Sequence, residues 1–208
     1  MILLAVDTTL EACQAAVLDG ETVLAVRSEP MHRGHQERLA PLVAEVLAAA
    51  GVQPRALQRV GVTIGPGSFT GLRVGLAFAK GLALARRIPC VGVSTLAALA
   101  ASAPPGGLTA AVIDAGRGQV WLQLFEAGQP AGAPLALTIE DAAKRLRAQA
   151  PRRLVGSGAG LVQLPGVEAL PRAAPDPVAI ARLAAQAPAE EASPRPIYLR
   201  APDARLPA

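Results

Sequence analysis

The segment from Arg59 to Arg87 constrains this chain more than any other. An apolar run, Arg59 to Ile64, leads straight into Gly65-Pro66-Gly67-Ser68-Phe69-Thr70-Gly71-Leu72-Arg73, and a helical apolar pattern continues to about Arg87. The spacing excludes the familiar glycine loops. A Walker loop needs four residues between its glycines and then Gly-Lys-Ser/Thr, whereas Gly65 and Gly71 enclose five and Leu72-Arg73 follow. A dinucleotide fingerprint needs glycine where Thr70 stands. A nucleophile elbow needs Gly-x-Ser-x-Gly, and Pro66 and Thr70 take the glycine places around Ser68, which argues against Ser68 as a nucleophile. Two uses remain for the glycines. They make a tight turn that holds an anion at a helix N-terminus, or they let the helix pack closely on what lies behind it.

The helix itself leaves almost no polar face before Arg86, because Leu72, Val74, Leu76, Ala77, Phe78, Ala79, Leu82, Ala83 and Leu84 surround its axis. A helix apolar all round is covered on both sides. One cover is the sheet. The other is a second protein or the helix predicted from about Gln36, where Leu39, Leu42, Val43, Val46, Leu47 and Ala50 recur at helical spacing before Gly51. Gly71, Gly75 and Gly81 offer flat places for a partner helix, with Lys80 the one charge on that surface. Leu76→Glu or Val74→Arg is then expected to break association and leave the monomer folded. Pro41 belongs near the first turn of its helix or at a kink.

Element order extends the argument. Residues 2–7, 12–18 and 22–27 read as three antiparallel strands, the last two joined by an Asp19-Gly20 turn. The helix at 36–50, the strand at 59–64, the helix to Arg87, a strand at 89–93 and a short helix capped by Ser94 follow. After Pro104-Pro105-Gly106-Gly107 the pattern restarts, with strands at 110–114, 119–126 and 133–138, a helix at 140–149, a strand at 152–155 and a helix at 178–186. A duplicated βββαβα unit is the ribonuclease-H-like lobe of the actin and sugar-kinase group; a single α/β sandwich with a tail is the alternative. In the tail from Pro188, Pro196-Ile197-Tyr198-Leu199-Arg200 is apolar enough to dock.

The charge balance looks at first like a nucleic-acid footprint, with a net +4 and pI near 9.8. Its distribution argues otherwise. Residues 1–104 carry nine Lys/Arg against seven Asp/Glu and residues 105–208 eleven against nine, and five aromatics in all argue against base-stacking platforms. Alanine fills 45 positions, so the core is built from small groups at close backbone approach. Two cysteines, Cys13 and Cys90, make neither a disulfide framework nor a four-ligand zinc site, which fits a reducing cytosol. The start, Met1 to Asp7, has no basic leader and reads as a buried strand, and Pro104 to Gly107 break the uncharged stretch 88–113, so a soluble, cytoplasmic protein is expected.

Few residues offer chemistry. His32 and His35 lack the i, i+4 spacing of zinc proteases and suit a surface or capping role. Asp7 and Asp114 end apolar strands where carboxylates hold magnesium through water, or Asp7 caps the turn at Thr8-Thr9. Gly156 to Gly160 is a phosphate loop or a flexible turn.

Ile2-Leu3-Leu4-Ala5-Val6-Asp7-Thr8-Thr9, the stretch Gly65 to Arg73 with Gly75-Leu76-Ala77 and Lys80-Gly81-Leu82, Asp114-Ala115 leading to Gln119-Val120-Trp121, and Tyr198-Leu199-Arg200 together resemble the bacterial TsaB (YeaZ) family. The resemblance implies an α/β fold of two actin-like (ASKHA) lobes, each βββαβα, at 1–104 and 105–208, the second with a docked tail. It implies a non-catalytic partner of TsaD in forming N6-threonylcarbamoyladenosine at position 37 of tRNAs reading codons that begin with A. TsaD (as a heterodimer) and the ATPase TsaE are the implied partners, with a homodimer when alone, tRNA met through the complex, and no cofactor of its own. The implied interface comprises Leu39, Leu42, Val43, Val46, Gly71, Arg73, Val74, Leu76, Ala77 and Lys80. A vestigial nucleotide or anion loop would comprise Asp7, Thr8, Gly65, Gly67, Ser68, Thr70 and Asp114. The family's Asp-Ala-Arg is here Asp114-Ala115-Gly116-Arg117, one residue longer. The competing class is a self-sufficient ATPase or peptidase-like enzyme of the actin and sugar-kinase fold.

Overall fold

Period-2 burial starts the fold. In the computed structural model, which describes residues 1–188 and 194–199, the chain opens on β1 (Ile2–Asp7), whose Leu4 and Val6 point to one face and Leu3 and Ala5 to the other. Next come β2 (Ala12–Asp19), β3 (Thr22–Pro30), α1 (His35–Ala49), a 3-10 turn at Pro54–Ala56, β4 (Arg59–Thr63), α2 (Phe69–Arg86), β5 (Cys90–Val93) and α3 (Thr95–Ala101). Their sheet has the order β3-β2-β1-β4-β5, antiparallel from β1 to β3 and parallel from β1 to β5. The second part holds β6 (Thr109–Gly116), β7 (Gln119–Glu126), β8 (Gln129–Pro130), β9 (Leu135–Thr138), α4 (Ile139–Gln149), β10 (Arg153–Val155), β11 (Glu168–Leu170) and α5 (Pro177–Gln186). Its sheet runs β11-β10-β6-β7-β8, and β9 also pairs with β7.

Local chemistry explains most boundaries. Ser68, Ser94, Thr138 and Asp176 each cap the helix that follows with a side-chain oxygen. The β2–β3 turn lies one residue later than expected: Asp19 pairs with Thr22, and Gly20-Glu21 turn the chain, with positive φ at Gly20 alone. That is the Gly-x pattern of a II′ turn rather than Asp-Gly. Pro41 sits beyond the first turn of α1, on the exposed side. The strand β11 was not anticipated; three residues with a leading glutamate carry no periodic signal.

Helices α3 and α5 change sheets. Leu96 and Leu99 of α3 pack with Ala111, Ile113, Phe125 and Val155 of the second sheet, while Ile180, Ala181 and Ala184 of α5 pack on Leu3, Ala5, Leu18 and Val91 of the first. The Arg59 guanidinium fastens α5, donating to the carbonyls of Ala184, Ala185 and Ala187 at 2.8, 3.1 and 2.8 Å. A Cβ on Gly61 would overlap that of Ala184, so α5 lies against bare backbone. The opposite face of the first sheet is covered by α1 and α2, through Leu42, Val46, Leu72 and Leu76. The tail docks as expected: the Ile197 N–H donates to the Ile64 carbonyl at 2.7 Å and Pro194 is buried. Arg200, the end of the expected docking motif, lies outside the described residues. Among the described residues no helix is long and apolar enough to cross a membrane.

Candidate functional site

Asp7 ends β1, fully buried, and its carboxylate is saturated by its own chain. Oδ1 accepts from the Thr9 N–H (2.9 Å), the Thr9 hydroxyl (2.6 Å) and the Thr63 hydroxyl, and Oδ2 accepts from the Gln14 amide at 2.8 Å. Gln14 is held in turn by the Pro175 carbonyl and the Ser28 hydroxyl. A fully buried carboxylate held by four hydrogen bonds from its own chain is a structural hub. Asp114 is exposed, its Oδ1 accepting the Gly116 N–H at 2.8 Å, so the two aspartates are not equivalent partners of one ion. Among the described residues, no group of three or more His, Cys, Asp or Glu side chains is placed to hold a metal.

Of the two uses open to the glycines, the geometry favours close packing. A Cβ on Gly67 would overlap the Thr9 carbonyl oxygen and one on Gly71 the Thr8 carbonyl oxygen. The Ser68 N–H donates to the Thr9 carbonyl at 2.7 Å, and Thr8 Oγ1 donates to the Gly71 carbonyl at 2.6 Å. On the other side, the Ile197 carbonyl stands where a Gly65 side chain would go. Residues 8 and 9 thus pack directly against the loop on the side of its glycine Cα atoms. Ser68 caps α2, and Thr70 is exposed beside it. A Cβ on Gly156 would overlap the Val112 carbonyl oxygen of β6, and one on Gly158 would crowd the Val112 side chain.

Burial divides the expected interface. Leu39, Leu42, Val43 and Val46 are 0–3% exposed and Leu76 is 6%, all within the core of this one chain. Gly71 and Gly75 face Thr8 rather than a foreign helix; only Gly81 of the three looks onto open space. The expected Leu76→Glu test therefore probes folding. What α2 turns outward is a stripe at i, i+4 spacing, Arg73, Ala77, Lys80, Gly81 and Leu84, with Val74 half-buried at its side. Leu84 is 81% exposed. Arg73 joins Lys80 as a second charge there, its guanidinium 3.7 Å above the centre of the Phe69 ring.

Beside this stripe a cleft of about 310 Å³ opens between the loop into α1 and the start of α2, reached by His32, Arg33, His35, Glu37, Ser68 and Thr70. Sequence spacing gave no sign of it, because it joins two segments thirty residues apart. His32 is exposed, 3.5 Å from Glu11, and His35 begins α1. Arg38 in the same helix binds Glu29 and Glu45 through four hydrogen bonds of 2.6–2.9 Å, which hold both carboxyls below their usual range. Cys13 and Cys90 are buried free thiols, and burial pushes each up to about 11, away from nucleophilic use.

Residues 26–136 match the family model of TsaD, tRNA N6-adenosine threonylcarbamoyltransferase. The tRNA threonylcarbamoyladenosine biosynthesis protein TsaB of Escherichia coli is 40% identical over 124 residues, 58% of this chain and 53% of its own length. The chain spans about half the length of the curated TsaB relatives it matches. The structure of YeaZ from Pseudomonas aeruginosa superposes over nearly everything, with a TM-score of 0.82, 33% identity, and coverage of 95% of this chain and 99% of that one. A ROK hexokinase from Thermus thermophilus shares the fold alone, at a TM-score of 0.51 and 16% identity over 89% of this chain and 98% of its own, which agrees with the actin-like architecture that the family resemblance implied and that element order had left open beside a single sandwich.

Proposed function

The chain belongs to the TsaB (YeaZ) family, and from that premise we propose that it is a non-catalytic subunit in making N6-threonylcarbamoyladenosine at position 37 of tRNAs that read codons beginning with A. It acts by pairing with a TsaD transferase and supporting the TsaE ATPase, meets tRNA through that complex, pairs with itself when alone, and works in the cytoplasm. Its two lobes divide at 104/105. One observation carries the reading: the chain is related at once to TsaB proteins and, over 26–136, to the transferase family itself, as a paralogue of the catalytic subunit would be. The closed Asp7 and the close packing of the glycine loop on residues 8 and 9 support the non-catalytic part. The docking surface is the outward stripe of α2, where Arg73, Ala77, Lys80, Gly81 and Leu84 leave apolar area that nothing among the described residues covers.

A reconstituted reaction with transferase, ATPase, threonylcarbamoyl-adenylate and tRNA tests this. Modification is expected only when this chain is present. An unchanged rate without it would defeat the proposal, and hydrolysis of ATP or a peptide by the purified chain alone, abolished by Asp7→Ala, would favour the enzyme reading instead.

A further inference from the structure

The outward stripe of α2 does not stop at the helix. Tyr198 of the C-terminal tail comes back over its first turn, with its ring centroid 5.7 Å from that of Phe69 and the planes tilted by 41°. Arg73 lies over the same Phe69 ring. Two of the chain's five aromatics thus meet at one surface point with a guanidinium, although composition argued against any such platform. The two rings remain 45% and 47% exposed. Tyr198 is nevertheless held in place. On one side of it Ile197 is hydrogen-bonded to Ile64, and on the other Leu199 packs against the cluster of Leu96 and Leu99. Among the described residues Arg73 makes no hydrogen bond or ion pair, so its stacked face is fixed while its N–H rim is free.

Resting on the reading above, we propose that Phe69, Arg73 and Tyr198 form one anchor for the transferase partner, receiving a carboxylate on a helix laid along the α2 stripe. A guanidinium stacked on a ring has already lost much of its freedom, and its planar edge matches a carboxylate in two parallel hydrogen bonds. Flanking rings exclude water from that pair and supply the apolar area typical of interface hot spots. From Arg73 the stripe runs on through Ala77, Gly81 and Leu84, small or apolar residues at helical spacing that suit a helix rather than a polynucleotide. Its only charges are the cations Arg73 and Lys80, which selects an acidic partner surface; two cations are too few to track a phosphate backbone. The match of residues 26–136 to the transferase family model implies that such a partner shares this fold there and has equivalent helices to offer. Tyr198 of the C-terminal tail, 125 residues after Arg73 in sequence, becomes part of the docking face.

The test is titration of the full chain against the transferase by calorimetry, with Tyr198→Ala, Arg73→Ala, the double variant, Tyr198→Phe and Leu84→Glu. Each alanine variant is expected to weaken binding about 10-fold, the double variant by less than the product, and Tyr198→Phe hardly at all. Because all the altered side chains are exposed, melting temperatures should stay within about 2 °C of the unaltered chain. If both alanine variants bind normally while Leu84→Glu does not, the anchor is overturned and the partner reading stands. If the unaltered chain fails to bind the transferase, both fall. Alanine variants that lose only self-association assign the cluster to a second copy, and loss only of single-stranded oligoribonucleotide binding assigns it to nucleic acid; either result overturns the anchor.

Discussion

Thr8 and Gly71 are locked to each other: the Thr8 hydroxyl donates to the Gly71 carbonyl at 2.6 Å, and the Thr8 carbonyl occupies the space of a Gly71 side chain. Neither carbonyl is the far end of a flexible group, so Gly71→Ala cannot be relieved by a rotamer change. A loss of about 3 kcal/mol is expected, at the upper end of overpacking effects. Gly81→Ala is the control. Nothing lies within 4 Å of its would-be Cβ, so the variant should gain about 0.5–1 kcal/mol from helix propensity. Urea unfolding of both decides; equal effects would refute the packing account.

Asp7→Ala removes the acceptor of two hydroxyls, one backbone N–H and one amide at a fully buried point. The hydroxyls can turn elsewhere, but the Thr9 N–H and the Gln14 amide cannot follow. A cost of about 3 kcal/mol is expected, with faster hydrogen exchange at Thr9. Unchanged stability would mean that Asp7 is not the hub of this end of the sheet.

Much of this was legible in the chain. Period-2 and period-3.6 patterns located most of the strands and helices, and the Asp-Thr-Thr end of β1 pointed to a turn cap, the use Asp7 serves. Burial was legible as a need but not as a partner. Leu39, Leu42, Val43, Val46 and Leu76 had to be covered, and periodicity cannot tell cover by α1 and α2 of one chain from cover by another. Gly71, Gly75 and Gly81 look alike in sequence, yet two face Thr8 and one faces open space, a difference set by β1 some sixty residues away. The change of sheets by α3 and α5, and the return of Tyr198 to Phe69, are long-range contacts that no local signal encodes.

Arg38 makes stability depend on acid. Its hydrogen bonds hold Glu29 and Glu45 below the ordinary carboxylate value of 4.5, so the folded state binds their protons less readily than the unfolded chain. That contribution is complete above pH 4.5 and is lost as pH falls through the lower folded values. Stability should therefore drop as pH falls below about 4.5, and Arg38→Gln should flatten that acid drop while leaving the rest of the profile in place. Denaturant midpoints at intervals of pH test this; identical slopes for the two proteins would exclude the pair as a source. The groups lie at the surface, so the effect is small and weaker in salt.

Arg59→Met should loosen α5. The guanidinium satisfies three carbonyls at the C-terminal end of that helix, where no intrahelical donor is left and a cation is favoured. A loss of about 2 kcal/mol is expected, with hydrogen exchange accelerating across 180–187 more than in α1. Uniform acceleration over the whole chain would indicate that Arg59 supports global stability rather than this attachment.

Leu76 and Leu84 stand two turns apart on α2 and separate folding from association. Leu76 is 6% exposed in the core beneath α1, so Leu76→Glu buries an unpaired carboxylate and should cost about 4 kcal/mol or prevent folding. Leu84 is 81% exposed, and Leu84→Glu should change stability by less than about 0.5 kcal/mol. If the outward stripe is the docking surface, the same Leu84→Glu chain, still folded by circular dichroism, should elute without the transferase in size exclusion. A stable complex with Leu84→Glu would move the contact away from this part of the stripe.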